Sequence, residues 1–403
     1  MHVLAIRKQG INKLGIPPFV GNWLFWTAFA LLLITQFSQG TMFILYYPTN
    51  SFPYQLMMLS GVIALIKVLL FNNFKDEKDL FLCITIGLLI LVSCQNAGDW
   101  NLIYYYLIML AAQNIKFDQI VRFFLIAITA GLIITFISVK FGLIMELTNS
   151  RDGDAGIRYA LGMVYPTDLA ARAFYLQLFY IVLKKFRLNI PEFISLMAFT
   201  FIIYIYTDTR LDFILMILTL VAALFYKQLI SLIRFINVKF MLLLGLVSVA
   251  GIIILTYLYD PSNPILRIVN KLLTRRLEFG HAVFTRYNVT MFGQYIQQNG
   301  NGGIHHGWFD YFFIDCSFLR ILMMNGVVVF VMVTGLLCYM MKRFMEEAAY
   351  GLVIALILAV ISSLIDQHLA EISFNILFLT VYTDLNYFKE SNFKLGQLNV
   401  NRK

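Results

Sequence analysis

An all-α polytopic membrane protein is the fold class that this sequence predicts, and three observations carry the prediction. Of the 403 residues, 60% are hydrophobic and only 13% are charged, whereas a soluble globular domain carries roughly a quarter charged residues. The apolar residues come in long runs broken by short polar stretches, near the length of about 20 residues that a helix needs to cross a bilayer. The basic residues fall mostly in alternate loops, which orients the runs. A single transmembrane domain over residues 1–403 follows, because no stretch is left over for a soluble domain of ordinary size. The net charge of +9 is spread over many loops, so topology accounts for it and no nucleic-acid partner is expected.

The N-terminus carries Arg7, Lys8 and Lys13, then Pro17 and Pro18, then an apolar run from Trp23 to Ile34. No small-residue cleavage site follows, so the run reads as an uncleaved first span rather than a signal peptide. Spans are placed near 20–38, 52–71, 80–95, 100–116, 119–141, 165–183, 192–207, 210–227, 239–259, 311–341, 350–366 and 370–388, about twelve in all. Lys75, Lys116, Lys184, Lys227, Lys342 and Lys389 mark the loops on one side. That side is read as cytoplasmic, with both termini on it. Trp23, Trp26, Trp100 and Trp308 fall near span ends, as an interfacial belt places them. Cys83, Cys94, Cys316 and Cys338 lie in or beside apolar runs without metal-ligand or redox spacing, and read as packing residues.

Two connections are long, near 142–164 and 260–310, and both fall on the external side. Loops longer than about 15 residues in a compact protein usually carry function or are disordered. In the second, Pro264 to Phe279 reads as one short amphipathic helix. Ile265, Ile268, Val269, Leu272 and Leu273 share a face, and Arg267, Lys271 and Arg275 recur on another. Such a helix lies along the interface with its basic face towards anionic headgroups or lipid-linked phosphate, or simply anchors the loop.

The candidate chemistry gathers on the same side. The turn Thr207-Asp208-Thr209-Arg210-Leu211-Asp212 sits between two strongly apolar runs, where ionisable groups are costly enough to imply function. Arginine offers a planar fork of donors suited to phosphate oxygens. The plainer reading is a capping Asp beside a snorkelling Arg. Arg158, Asp168, Arg172, Arg276, Arg286, Asp315 and Arg320 share that side, joined by Asp366, His368 and Glu371. Arginines clustered there run against the positive-inside trend and imply an anionic ligand; a pyrophosphate carried on a membrane lipid fits both charge and depth. Asn299 to Trp308 is glycine-rich and brings His305 and His306 to the water interface, where one neutral imidazole can act as general base. No third and fourth ligand accompanies them at convincing spacing, so no metal is expected.

Four segments occur in order on this side: Arg158-Tyr159-Ala160-Leu161-Gly162 followed by Pro166 and Asp168; Thr207-Asp208-Thr209-Arg210; Arg275-Arg276-Leu277; and Asp315 followed by Leu319, Leu322 and Gly326. Over roughly residues 80 to 335 they resemble the motifs of the Wzy-type polysaccharide polymerases and the related O-antigen ligases. The chain departs from that pattern at Phe292-Gly293, where Gln294-Tyr295 follows, and at Cys316, where the family has Asn. The resemblance implies a GT-C-like helical fold in the bacterial plasma (inner) membrane. It implies a metal-independent glycosyltransferase without cofactor, polymerising undecaprenyl-diphosphate-linked oligosaccharide repeat units into a surface polysaccharide: O-antigen, capsule or exopolysaccharide. The implied partners are that lipid-linked oligosaccharide, membrane lipid, a flippase and a chain-length regulator. Arg158, Arg210, Arg276 and Arg172 are the expected diphosphate-binding residues. His305, His306 and Asp315 are the candidates for the base. A ligase that hands a finished chain to another acceptor shares almost every feature. A polysaccharide exporter or lipid flippase would want charges through the membrane depth, and the inner halves of the runs are nearly free of them.

The loop charges predict a labelling pattern. Cysteines introduced near Gly153 and Gly302 are expected to react with an impermeant thiol reagent from outside, and those near Lys184 and Lys342 are not. External labelling at Lys184 would overturn the orientation.

Overall fold

A computed structural model describes residues 17, 19–150, 156–300 and 311–390. The described chain is almost wholly helical. Its helices are α1 (Phe19–Gln39), α2 (Phe52–Phe71), α3 (Glu77–Ala97), α4 (Asn101–Ala111), α5 (Phe117–Lys140), α6 (Pro166–Leu183) and α7 (Ile190–Thr207). There follow α8 (Arg210–Leu224), α9 (Tyr226–Phe235), α10 (Val238–Tyr257), α11 (Pro264–Leu272), α12 (Arg276–Arg286), α13 (Ser317–Glu346) and α14 (Tyr350–Ser363). Strand is confined, among the described residues, to an antiparallel pair of β1 (Thr148–Ser150) and β2 (Ile157–Tyr159), with Asn149 opposite Arg158.

Among the described residues, seven helices, α1, α2, α3, α5, α7, α10 and α13, are long and apolar enough to cross a membrane; α8 with α9, bent by 86°, would make eight. The architecture is therefore all-α and multi-pass, with fewer qualifying helices than the sequence predicts. The reasons are local. α4 and α14 are apolar but short, and α6 carries Asp168 and Arg172. The stretch near 370–388, expected as a final spanning helix, forms two 3-10 turns at Leu377–Val381 and Asn386–Phe388. Irregular backbone buried in an apolar protein needs internal partners. Arg343 supplies them, donating to the carbonyls of Thr380, of Val381 at 2.7 Å and of Thr383 at 3.0 Å. The backbones of Phe117 and Asp384 pair as well, at 3.0 Å.

α6 is the hub. It packs on α5, α7, α8 and α14, and every residue from Asp168 to Phe179 is buried. Pro166 opens it, where the missing N–H costs nothing. Its buried polar groups find partners across the packing: Gln177 donates to the Met216 carbonyl at 2.8 Å and accepts from the Thr200 hydroxyl at 2.9 Å. α7 starts from a capping box between Asn189 and Glu192 and stops where Asp208 turns left-handed, at φ 44°. Two residues later α8 begins, so the Thr207 to Arg210 turn is tight.

The single amphipathic helix expected from Pro264 to Phe279 is two helices. Thr274 and Arg275 adopt φ of 52° and 66°, and the Arg275 N–H closes onto the Asn270 carbonyl at 2.8 Å. The chain turns there and restarts at Arg276. Ile265, Ile268 and Leu272 stand exposed on α11.

A break within α13, at Gly326, is held by the close approach of two glycines. Gly293 and Gly326 both have positive φ, and a Cβ on Gly326 would lie 2.3 Å from the Gly293 nitrogen. Gly326→Ala is expected to cost more than about 2 kcal/mol through overpacking and backbone strain, seen as a lower unfolding midpoint in detergent. Gly245→Ala, where a Cβ meets nothing within 4 Å, should leave the midpoint nearly unchanged. Equal midpoints for the two variants would contradict this packing.

Candidate functional site

The first turn of α6, the start of α12, strands β1 and β2, the extended chain before α13 and the connection after α14 surround a cavity of about 130 Å³. Arg158 and Arg276 line it, with the carboxylates of Asp168, Asp315 and Asp366. Tyr165, Tyr311 and Phe313 supply aromatic walls, and Asn149 and Gln367 supply amides.

Each charged group is set by its element. Arg158, on β2, donates from Nε to the Thr207 carbonyl at 2.7 Å, the last residue of α7. Arg276 opens α12 immediately after the left-handed Arg275. Its guanidinium donates to the Ile365 carbonyl and the Thr274 hydroxyl, and its Nε lies 3.9 Å from Asp315 Oδ2. Asp315 stands in the extended chain just before α13. Burial pushes its carboxyl up from the usual range, and Arg276 and Arg320 oppose that without cancelling it. Arg320 is held by Gln367 at 2.6 Å and Gln298 at 3.2 Å.

Behind the cavity wall lies His368, with its side chain only 3% exposed. Its Nε2 is 3.5 Å from an oxygen of Asp168 and 3.5 Å from one of Asp366, and its Nδ1 is 3.1 Å from Glu371. Burial alone would lower the imidazole pKa; Asp366, Glu371 and Asp168 outweigh it and hold the pKa well above 6.5. His368 is thus an imidazolium joining two carboxylates of the cavity. Asp366, itself pushed up by burial, is drawn back by His368 and Arg276. The imidazole stacks on Phe374 at 3.6 Å, and the Arg172 guanidinium lies 3.9 Å from the centroid of the same ring. Two groups that close must occupy opposite faces. The Arg172 guanidinium also lies over the Phe37 ring, 4.8 Å from its centroid.

The residues singled out in the sequence are therefore distributed as follows. Arg158, Arg276 and Asp315 meet in the cavity. Arg172 is buried behind it, donating to the Ser373 carbonyl at 3.0 Å rather than lining it. Arg210 is on the exposed side of its turn and is not among the lining residues, while Asp212 two residues on is buried. His305 and His306 lie outside the described residues. Reasoning from sequence gave no role to His368; its signal was the close spacing of Asp366, His368 and Glu371 within an otherwise apolar stretch. Among the described residues, no three His, Cys, Asp or Glu side chains are grouped to hold a metal ion. The chain matches no family model, no curated protein and no solved structure.

Chemically, two fixed guanidiniums can hold an anion, a nearby carboxylate with a raised pKa can take a proton, and rings and amides can receive a polyhydroxylated ligand. The imidazolium generates a stability prediction. Because its pKa is raised on folding, His368 contributes fully below its ordinary 6.5 and loses that contribution as pH rises through the folded value. The gap in unfolding midpoint between wild type and His368→Gln should be widest near pH 6 and shrink as the pH rises through the folded-state pKa. A gap that widens with pH would show that the imidazole is buried neutral.

Proposed function

We propose that this protein is a metal-independent glycosyltransferase of the polysaccharide-polymerase type, moving a growing chain from undecaprenyl diphosphate to a hydroxyl of the next lipid-linked repeat unit. The observation that carries the reading is that Arg158, Arg276 and Asp315, from three motifs far apart in the chain, line one cavity. On this reading the two guanidiniums grip the diphosphate. The bond from the sugar's anomeric carbon to the diphosphate oxygen breaks, and the charge that builds there is met by fixed donors. The acceptor hydroxyl oxygen forms the new bond to that carbon and gives its proton to Asp315, whose raised pKa brings it closer to a working base. His368 holds Asp168 and Asp366 in place beside the reacting groups. Arg172 supports the site from behind, and Arg210 stands at the turn whose Thr207 carbonyl orients Arg158.

The setting proposed for this chemistry is a GT-C-like domain of about twelve spans in the bacterial plasma membrane, with the cavity on the outer side and both termini inside. The distribution of ion pairs supports that orientation. α6 and α13 both begin near the cavity, and the Lys184–Glu192 pair at 2.6 Å and the Arg343–Glu347 pair at 2.7 Å lie at their far ends. The product would be a surface polysaccharide, with a flippase supplying the donor and a chain-length regulator as partner.

Arg158→Ala and Arg276→Ala are each expected to lower polymer formed per unit of membrane-inserted protein by on the order of a hundredfold, the usual cost of about 3 kcal/mol for a lost donor to a developing anion. The corresponding Lys variants keep the charge without the forked geometry and should restore only part of the activity. Asp315→Asn should abolish transfer, and Arg210→Ala should cost less than either cavity arginine. Normal specific activity in both Arg158→Ala and Arg276→Ala would remove the diphosphate from this cavity.

A further inference from the structure

A second cavity, of about 390 Å³, lies between α3, α4, α13 and the irregular segment after α14. It is much larger than the ~150 Å³ void that admits benzene, and it falls within the range of ligand pockets. Its shape is that of a groove. Val329, Met332, Val333, Leu336 and Tyr339 form its α13 wall, one face of the helix from the first residue to the last. At 1.5 Å per residue the wall runs about 15 Å, half the thickness of a hydrocarbon core. The polar atoms nearby are turned away: the Tyr106 hydroxyl donates to the Cys83 carbonyl at 2.7 Å, and the Tyr105 hydroxyl accepts from Gln36. What faces the groove is predominantly ring and alkyl surface.

The groove and the polar cavity are lined by neighbouring parts of one segment. Gln367 lines the polar cavity, and Ala370 and Ile372 line the groove. Three to five residues separate them, so the dividing chain spans at most about 17 Å even when extended. Between them Glu371 bonds to His368 at 3.1 Å. A cationic pocket and an apolar channel set this close match one amphiphile, with an anionic head in the first and a chain in the second.

We propose that the groove holds the head-proximal part of the polyprenyl chain of the lipid whose diphosphate sits at Arg158 and Arg276. This rests on the function proposed above and adds to it a binding site for the chain. Gly335 lines the groove, and a Cβ there meets nothing within 4 Å, so a larger side chain enters open space and also favours the helix. Gly251, on α10, has equally open surroundings and does not line the groove; it serves as the control.

Gly335→Leu is expected to lower transfer from a repeat unit on undecaprenyl diphosphate by about tenfold or more relative to the same unit on a ten-carbon prenyl diphosphate, and Gly251→Leu to leave that ratio unchanged. Independently of transfer, a diazirine-bearing polyprenyl phosphate should label α3 and α13 peptides in the full-length protein. Unlabelled polyprenyl phosphate should compete and phosphatidylglycerol should not, and Gly335→Leu should lose the label. Such labelling in a protein without transferase activity would keep the chain site and sink the transferase reading. Transfer with an unchanged chain-length ratio in Gly335→Leu, or a label displaced equally by phosphatidylglycerol, would overturn the chain site while leaving the transferase intact.

Discussion

A charged imidazole cannot stand alone in an apolar interior, and the packing around His368 is arranged to meet that requirement. Three carboxylates reach it from different parts of the fold: Asp168 from the first turn of α6, and Asp366 and Glu371 from the connection after α14. Arg172, one turn further along α6, brings a second cation to the far face of Phe374. The charges are therefore paired within the protein, and the pairing fixes the connection after α14 against α6. Removing one member would leave its partners buried and uncompensated, which is the costly way to break such a cluster.

That constraint explains why the final stretch of the chain is not a helix. Placing His368, Glu371 and Phe374 against α6 draws the chain inward immediately after α14. The segment then returns as 3-10 turns whose carbonyls depend on Arg343. It is this irregular return that leaves room for a groove beside α3, α4 and α13 while closing the back of the polar cavity. Two cavities of opposite character are thus lined by neighbouring parts of one short segment.

Much of this arrangement was legible in the sequence, because ionisable residues are scarce in an apolar chain and each one is informative. Arg158, Asp168, Arg276, Asp315 and Asp366 were assigned to one side from loop alternation, and they line one cavity. What sequence did not disclose depended on backbone geometry. Arg210 and Asp212 sit two residues apart at the start of α8, and only the helix phase decides that the carboxylate is buried and the guanidinium exposed. The apolar stretch near 370–388 has the composition of a span, yet its conformation is set by contacts with Arg343 and α6 rather than by its own periodicity. The break between α11 and α12 rests on left-handed Thr274 and Arg275, residue types that carry no turn signal.

The most direct measurement is the lipid-linked sugar content of a strain lacking this protein. Accumulation of single repeat units on undecaprenyl diphosphate, with surface polysaccharide lost, is the predicted result. Full-length chains still attached to the lipid would instead indicate a ligase, repeat units trapped on the cytoplasmic face would indicate a flippase, and either would contradict the polymerase assignment.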